Sequence, residues 1–282
     1  MSASPSSSVQ QARRTLADRL GELRRDAGLT GRELAGRAGW STAKTSRIEN
    51  ARTPPSADDI RAWCQACGAE DQTVDLVASL RAAEGMFIEH SRMERAGLRQ
   101  AQESVRPLYE RTRRFRSYSS WLVPGLIQTR AYTEAVLRAV QRRRVAVDDV
   151  DAALSVRMAR QRVLFEGDHR FAFLVEESVL RSGMGGRDVV LGQLEHLTDV
   201  GTLPNVSLGV VPMRPDRSRL PVEGFWIYDM DQVNVELVSG YLTITQPREI
   251  AQYADAFSEL SEMAVYGASA RALINNAINS LG

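Results

Sequence analysis

Apolar positions in the first eighty residues recur at helical spacing. Leu16, Leu20 and Leu23 fall at i, i+4 and i+7 on one face, which predicts a helix over 15–27 ended by Gly28. Thr30 with Glu33 three residues on is a capping box, so a second helix follows that buries Leu34 and Ala35. A tight turn at Ala38-Gly39-Trp40 leads to a third helix, capped by Ser41 and ending near Asn50. Pro54-Pro55 breaks the chain. Ser56 then caps a fourth helix, with Asp58 and Asp59 at its positive end, and a fifth covers 73–83. Residues 86–116 are polar, laced with Glu and Arg and nearly free of Gly and Pro, which predicts a long connecting helix held by i,i+3 and i,i+4 pairs. Beyond it the pattern is mixed. Strands are expected over 116–119, 170–175, 206–211, 224–229, 233–238 and 242–245, and helices over 129–141, 150–165, 189–198 and 247–264.

A chain of 282 residues is comfortable for two domains. The expected organisation is a disordered, Ser-rich tail (1–11), a helical domain (12–85), a connecting helix (86–106) and an α+β domain (107–282). No apolar run approaches the roughly 18 residues that a membrane helix needs, and the N-terminus lacks the layout of a signal peptide. Two cysteines argue against an oxidised scaffold. These features fit a cytoplasmic protein that has no membrane partner. Charge is unevenly divided. Residues 12–66 hold 11 basic and 7 acidic side chains, whereas residues 163–282 hold 8 basic and 16 acidic. A basic front suits a polyanion. Of the 36 basic residues only Lys44 is lysine, a bias of the kind that a GC-rich genome imposes.

The most informative stretch is Leu29-Thr30-Gly31-Arg32-Glu33-Leu34-Ala35, followed by Gly39-Trp40-Ser41-Thr42-Ala43-Lys44-Thr45-Ser46-Arg47-Ile48-Glu49-Asn50. Two short capped helices joined by a glycine-containing turn can lay the second helix in a major groove. In that second helix Thr45 and Ile48 would face the core. Ala43 and Arg47 would face out with Ser41 and Thr42, a surface of short groups and one guanidinium that suits base edges and phosphates. These residues resemble the XRE-type helix-turn-helix of phage repressors and Cro-like regulators. The resemblance implies a mainly α, lambda repressor-like N-terminal domain that binds a double-stranded DNA operator, normally as a homodimer. It also implies an internal ion pair, Arg24 with Glu49. Base contacts would fall on Thr42, Ala43 and Arg47, and phosphate contacts on Ser41, Lys44, Asn50 and Arg52. Two positions depart from the pattern. Gly31 stands where a glutamine is common, so Arg32 would supply the polar contact there. Ala51 stands where a glycine is usual, so Asn50 is expected to take the left-handed turn.

The second half offers Trp121-Leu122-Val123-Pro124-Gly125-Leu126-Ile127-Gln128-Thr129-Arg130-Ala131-Tyr132, then Arg157, Arg160 and Gln161, then Glu176-Glu177 with Leu180-Arg181. Gln193-Leu194, Leu203-Pro204-Asn205-Val206 and Gly224-Phe225 follow in order. This succession resembles the DUF5753 domain, also described as Scr1-family antitoxin-like. The resemblance implies a regulator whose C-terminal domain dimerises and senses a ligand or a protein. The alternative is an antitoxin-like protein that binds a small DUF397-type partner and represses its own operon. Arg157, Arg160 and Gln161 share one helix face, which either grips an anionic ligand or pairs with Glu176 and Glu177. The pairing is preferred, because a buried arginine usually finds a carboxylate. Cys64 and Cys67 form a C-x-x-C without a second pair or nearby histidines, so they read as small core residues. Gly183 to Gly186 lacks the lysine of a phosphate-binding loop. No cofactor and no enzymatic activity are expected.

Overall fold

The computed structural model describes residues 7–85, 87–89, 94–213 and 216–281. The chain forms two compact units that divide at Ile88 and Glu89. The first holds α1 (Ser7–Asp26), α2 (Gly31–Ala38), α3 (Thr42–Glu49), α4 (Ala57–Cys67) and α5 (Thr73–Gly85). Leu16, Leu20 and Leu23 bury their side chains as their spacing demands. Leu34, Ile48, Ile60, Trp63, Cys64, Leu76 and Leu80 complete the core. The Trp63 indole N–H donates to the Leu20 carbonyl at 3.0 Å, so a large ring is buried without an orphaned donor. Residues 1–6 lie outside the described residues, but Ser7–Gln11 belong to α1 and not to a disordered tail. Their sequence has no helix breaker, and the Thr15 hydroxyl donates to the Gln11 carbonyl one turn back.

Caps set the other helix limits. Thr30 accepts from the Glu33 amide at 3.2 Å while the Glu33 carboxylate accepts from the Thr30 amide at 2.8 Å. Those bonds hold the Glu33 carboxyl below its ordinary range. Ser56 and Asp59 repeat the arrangement at the start of α4. Gly39, with φ +73°, closes α2 in the left-handed conformation that glycine adopts without penalty. After α3 the expected turn is placed differently. Asn50 keeps φ −92°, and its side-chain amide donates back to the Ser46 carbonyl at 2.8 Å. The positive φ, +51°, falls on Ala51 itself. Once Asn50 is held in its helical bond, the reversal can only happen one residue later.

One ion pair fastens α3 to α1. The Arg24 Nε donates to Glu49 at 2.6 Å, a terminal nitrogen donates to the other carboxylate oxygen at 3.4 Å, and the second terminal nitrogen donates to the Leu29 carbonyl at 2.6 Å. Both side chains are about four-fifths buried, at 17% and 20% exposure.

The second unit opens with a correction. Residues 86–106 are not one helix. They contain a short strand, β1 (Phe87–Glu89), and then α6 (Leu98–Ser104), which is followed by α7 (Arg106–Arg111). Residues 86 and 90–93 lie outside the described residues. Gly97 interrupts any continuous helix: its φ is +103°, and an added Cβ would sit 2.3 Å from the Asp149 carboxylate. That carboxylate accepts from the Leu98 and Arg99 amides, both at 2.9 Å, so α6 is capped from fifty residues away. The unit therefore starts at Glu89, ahead of the expected 107.

After α7 come β2 (Arg114–Ser119), α8 (Arg130–Arg144), α9 (Val150–Arg160), β3 (Arg170–Glu176), α10 (Glu177–Arg181) and α11 (Arg187–Val200). The remainder is β4 (Val206–Val211), β5 (Phe225–Tyr228), β6 (Gln232–Glu236), β7 (Gly240–Ile244), α12 (Pro247–Met263) and α13 (Gly267–Ser280). The seven-stranded sheet runs β1-β7-β6-β5-β2-β3-β4. β2, β3 and β4 are parallel, with Phe115 opposite Phe171 and Phe171 opposite Val206; β5, β6 and β7 form an antiparallel meander. Alternation along the strands gives two apolar faces. One carries Phe115, Phe171 and Phe173, stacked at 4.8 and 5.9 Å, against Leu194 and Leu197 of α11 and Ile274 of α13. The other carries Tyr118 and Phe225, with Tyr253 of α12 edge-on to Phe225 at 5.0 Å. Parallel strands buried on both faces are what βαβ crossovers produce. The fold is thus a helical helix-turn-helix unit followed by an α+β unit.

Glu49→Ala is expected to destabilise the first unit by about 2 kcal/mol, less than the 3–5 of a fully buried pair because the partners keep some contact with water; a chemical denaturation midpoint unchanged from wild type would contradict this. Ala51→Gly should raise stability by up to about 1 kcal/mol. Relief of the left-handed strain, roughly 1–2 kcal/mol, outweighs the added entropy of the unfolded chain, ~0.5–1 kcal/mol. A lowered melting temperature would contradict that sign.

Candidate nucleic-acid interface

Eight residues make α3, and only Thr45 and Ile48 are buried. Thr45 is further fixed by accepting from the Trp40 indole N–H at 3.0 Å, which ties the turn to the helix. With those two positions facing in, Thr42, Ala43, Ser46 and Arg47 are all exposed. Ser46 was not among the contacts expected from the sequence, although it lies four residues after Thr42 and three after Ala43, on the same face. Ser41 is exposed and caps the helix, its hydroxyl accepting from the Lys44 amide at 3.3 Å. The N-terminus of α3 therefore presents free backbone amides beside short side chains, an arrangement suited to phosphate oxygens.

The basic residues separate into two groups. Arg24 is spent on Glu49. Lys44, expected on phosphate, is half-buried and bound to Asp59 of α4 at 2.6 Å, with its ammonium 4.7 Å from the Trp40 ring centroid. Burial raises the Asp59 carboxyl, but its bonds to Lys44 and Ser56 prevail and hold it below its ordinary range. A carboxylate three residues past the Ser56 cap, facing α3, is what drew Lys44 inward. Asn50 likewise turns its amide onto Ser46. Arg32, Arg47 and Arg52 form the second group. All three are exposed, and none pairs with a carboxylate among the described residues.

The residues singled out in the second unit are not brought together as expected. Glu176, buried at the end of β3, accepts from the Tyr118 hydroxyl at 2.6 Å and takes both terminal nitrogens of Arg217 at 2.9 and 2.8 Å. Burial, then the Glu176 bond, pushes the Tyr118 phenol well above its ordinary range. Glu177 takes Arg181 at 2.8 Å and the Met213 amide at 3.0 Å; those bonds outweigh the burial that would raise it, and its carboxyl lies low. Arg157 and Arg160 pair with neither acid. Gln161 donates to the Gly125 and Gln128 carbonyls at 3.2 and 2.8 Å. Both acids have arginines nearer in the fold: Arg181 one turn along α10, and Arg217 in the segment between β4 and β5. Cys64 is fully buried and Cys67 half-buried; burial pushes both thiols up. Among the described residues no group of three His, Cys, Asp or Glu side chains is placed to hold a metal ion, and no helix is long and apolar enough to cross a membrane.

Residues 15–77 match the model of a helix-turn-helix domain, and residues 103–276 match that of the domain of unknown function DUF5753. None of the curated proteins matches the chain. Among solved structures, the chain is similar at 13% identity to TrmBL2, an archaeal chromatin protein with a novel mode of DNA binding. The match covers 89% of this chain and 100% of that one, at a TM-score of 0.33, too low to carry an argument. With its capped helix pair presenting a free outer face and its larger unit matched over most of its length, the chain belongs to the DUF5753 family and carries a DNA-binding helix-turn-helix domain at its N-terminal end.

Proposed function

We propose that this protein is a sequence-specific transcriptional regulator that binds a two-fold operator as a homodimer, the second unit joining the copies and sensing a small ligand or partner. It is a cytoplasmic binding protein of nucleoid DNA and not an enzyme. The observation that carries the reading is the outer face of α3. Thr42, Ala43, Ser46 and Arg47 stand clear of the core on a helix locked at both ends, and the unpaired Arg32 and Arg52 flank them. Three of those four helix side chains are short, so the helix backbone can approach a groove floor closely. Arg47 is then the one long group able to pair bidentately with guanine O6 and N7. Arg32 and Arg52, with the amides at the start of α3, serve phosphates and set the register.

The test is a binding selection on randomised half-sites. Arg47→Ala should lose the preference at one base pair per half-site, about 1–3 kcal/mol, and keep most of its affinity for unrelated DNA. An unchanged consensus at lower overall affinity would make Arg47 a phosphate anchor. Arg52→Ala should weaken all sequences alike and reduce the slope of log affinity against log salt by about one. Sedimentation of the full chain at micromolar concentration should give a dimer, as two recognition helices about 34 Å apart require. A strict monomer both free and on operator DNA would refute the pairing.

A further inference from the structure

Several half-buried arginines in this protein are matched by carboxylates: Arg24 by Glu49, Arg217 by Glu176, Arg219 by Glu259. Arg157 and Arg160, one turn apart on α9, are not. The Arg157 guanidinium lies against the turn at Gly125, so closely that a Cβ there would stand 2.7 Å from a terminal nitrogen. Its Nε is sealed from water without a hydrogen-bond partner, and none of its nitrogens bonds to a carboxylate among the described residues. Arg160 sits with its guanidinium carbon 4.6 Å from the Tyr109 ring centroid and donates to the backbone and side-chain oxygens of Gln102 at 3.4 and 3.1 Å; its Nε is also buried and unpartnered. Gln161 anchors the same turn by its bonds to Gly125 and Gln128, so the floor under Arg157 is fixed.

Two neighbouring half-buried guanidiniums, each with an orphaned Nε and neither bonded to a carboxylate among the described residues, gain from an anion beside them. Burial, then repulsion from Arg160, lowers Arg157 from its ordinary 12.5 to about 10; Tyr109, Tyr241 and Glu236 act in the opposite sense and more weakly. We propose that Arg157 and Arg160 form a binding site for the carboxylate or phosphate group of a small ligand. A guanidinium seated against a turn, with its neighbour held over a ring, has the planar geometry that suits such a group. The site deepens the sensory role given above to the second unit and rests on that reading.

The test is calorimetric titration of the full chain, without DNA, in chloride buffer at fixed ionic strength, with inorganic phosphate and succinate as separate probes. Whichever probe binds identifies the chemistry of the group. Arg157→Met should weaken its binding at least tenfold. Gly125→Ala should do the same while keeping the charge, because the new methyl displaces the fork, and it decides the matter if Arg157→Met fails to fold. Absence of binding by wild type to both probes in the millimolar range overturns the proposal. So does a loss of less than tenfold in a folded variant, which would include phosphate held on the recognition helix. Gel retardation of operator DNA by the same variants keeps the two readings apart, since lost anion binding with retained retardation leaves DNA recognition standing.

Discussion

The contact between Arg24 and Glu49 is the strongest of the ties that hold α3 where its outer half is a surface. A free helix of eight residues is far below the length at which helices persist in water, and α3 buries only Thr45 and Ile48. Its position comes from three tethers of different kinds. The ion pair holds its last turn to α1, Lys44 holds its first turn to Asp59 of α4, and the Trp40 indole holds its middle through Thr45. Because each tether uses a side chain on the inner half of the helix, the outer half stays unencumbered. The three tethers reach three different parts of the unit, so the helix can neither roll nor slide without breaking one of them.

Arginine carries much of this protein's polar architecture, and the same side chain does opposite work according to what faces it. Beside a carboxylate it is structural. Arg217 grips Glu176 with both terminal nitrogens, while Glu177 takes Arg181 and the Met213 amide. Neighbouring acids at the end of β3 thereby pin the chain that leaves β4. The β5–β6–β7 meander starts from a fixed point, and the mixed sheet keeps its register. Facing water without a partner, as at Arg47 and Arg52, arginine is available for a polyanion. Half-buried without a carboxylate bond among the described residues, as at Arg157, it is the side chain to which the anion site is proposed.

What was legible in the sequence is what local chemistry determines. Thr30 with Glu33 and Ser56 with Asp59 announced their helix starts because a capping box is closed within four residues. Alternation placed β2 to β7 to within about two residues, since each needs only its own two faces, but β1 was hidden in the stretch read as a helix. The illegible parts are those settled by distant partners. Nothing near Gly97 says that Asp149 will cap α6 across fifty residues. Nothing on α9 says that Glu176 will be taken by Arg217, which left the arginine face open to either reading. Lys44 had the composition of a phosphate contact and became a fastening because Asp59 folds opposite it. α13 escaped notice because two of its three buried side chains, Ala270 and Ala277 beside Ile274, are only methyls, a weak periodic signal that packing on the sheet makes good.

On the reading proposed above, the use of Lys44 as a fastening narrows how α3 would read DNA. With that ammonium withdrawn and the Asn50 amide turned back on Ser46, the face offered to bases holds hydroxyls, a methyl and one guanidinium. A hydroxyl donates to or accepts from several base edges and discriminates weakly, whereas the guanidinium fork matches guanine alone. Specificity built this way would concentrate on few positions in each proposed half-site. The remainder would then come from how readily the DNA between the proposed half-sites adopts the twist and groove width that bring both helices into register. The flanking arginines then matter beyond affinity. By fixing where the phosphates must lie, they turn the shape of the duplex into part of what is recognised.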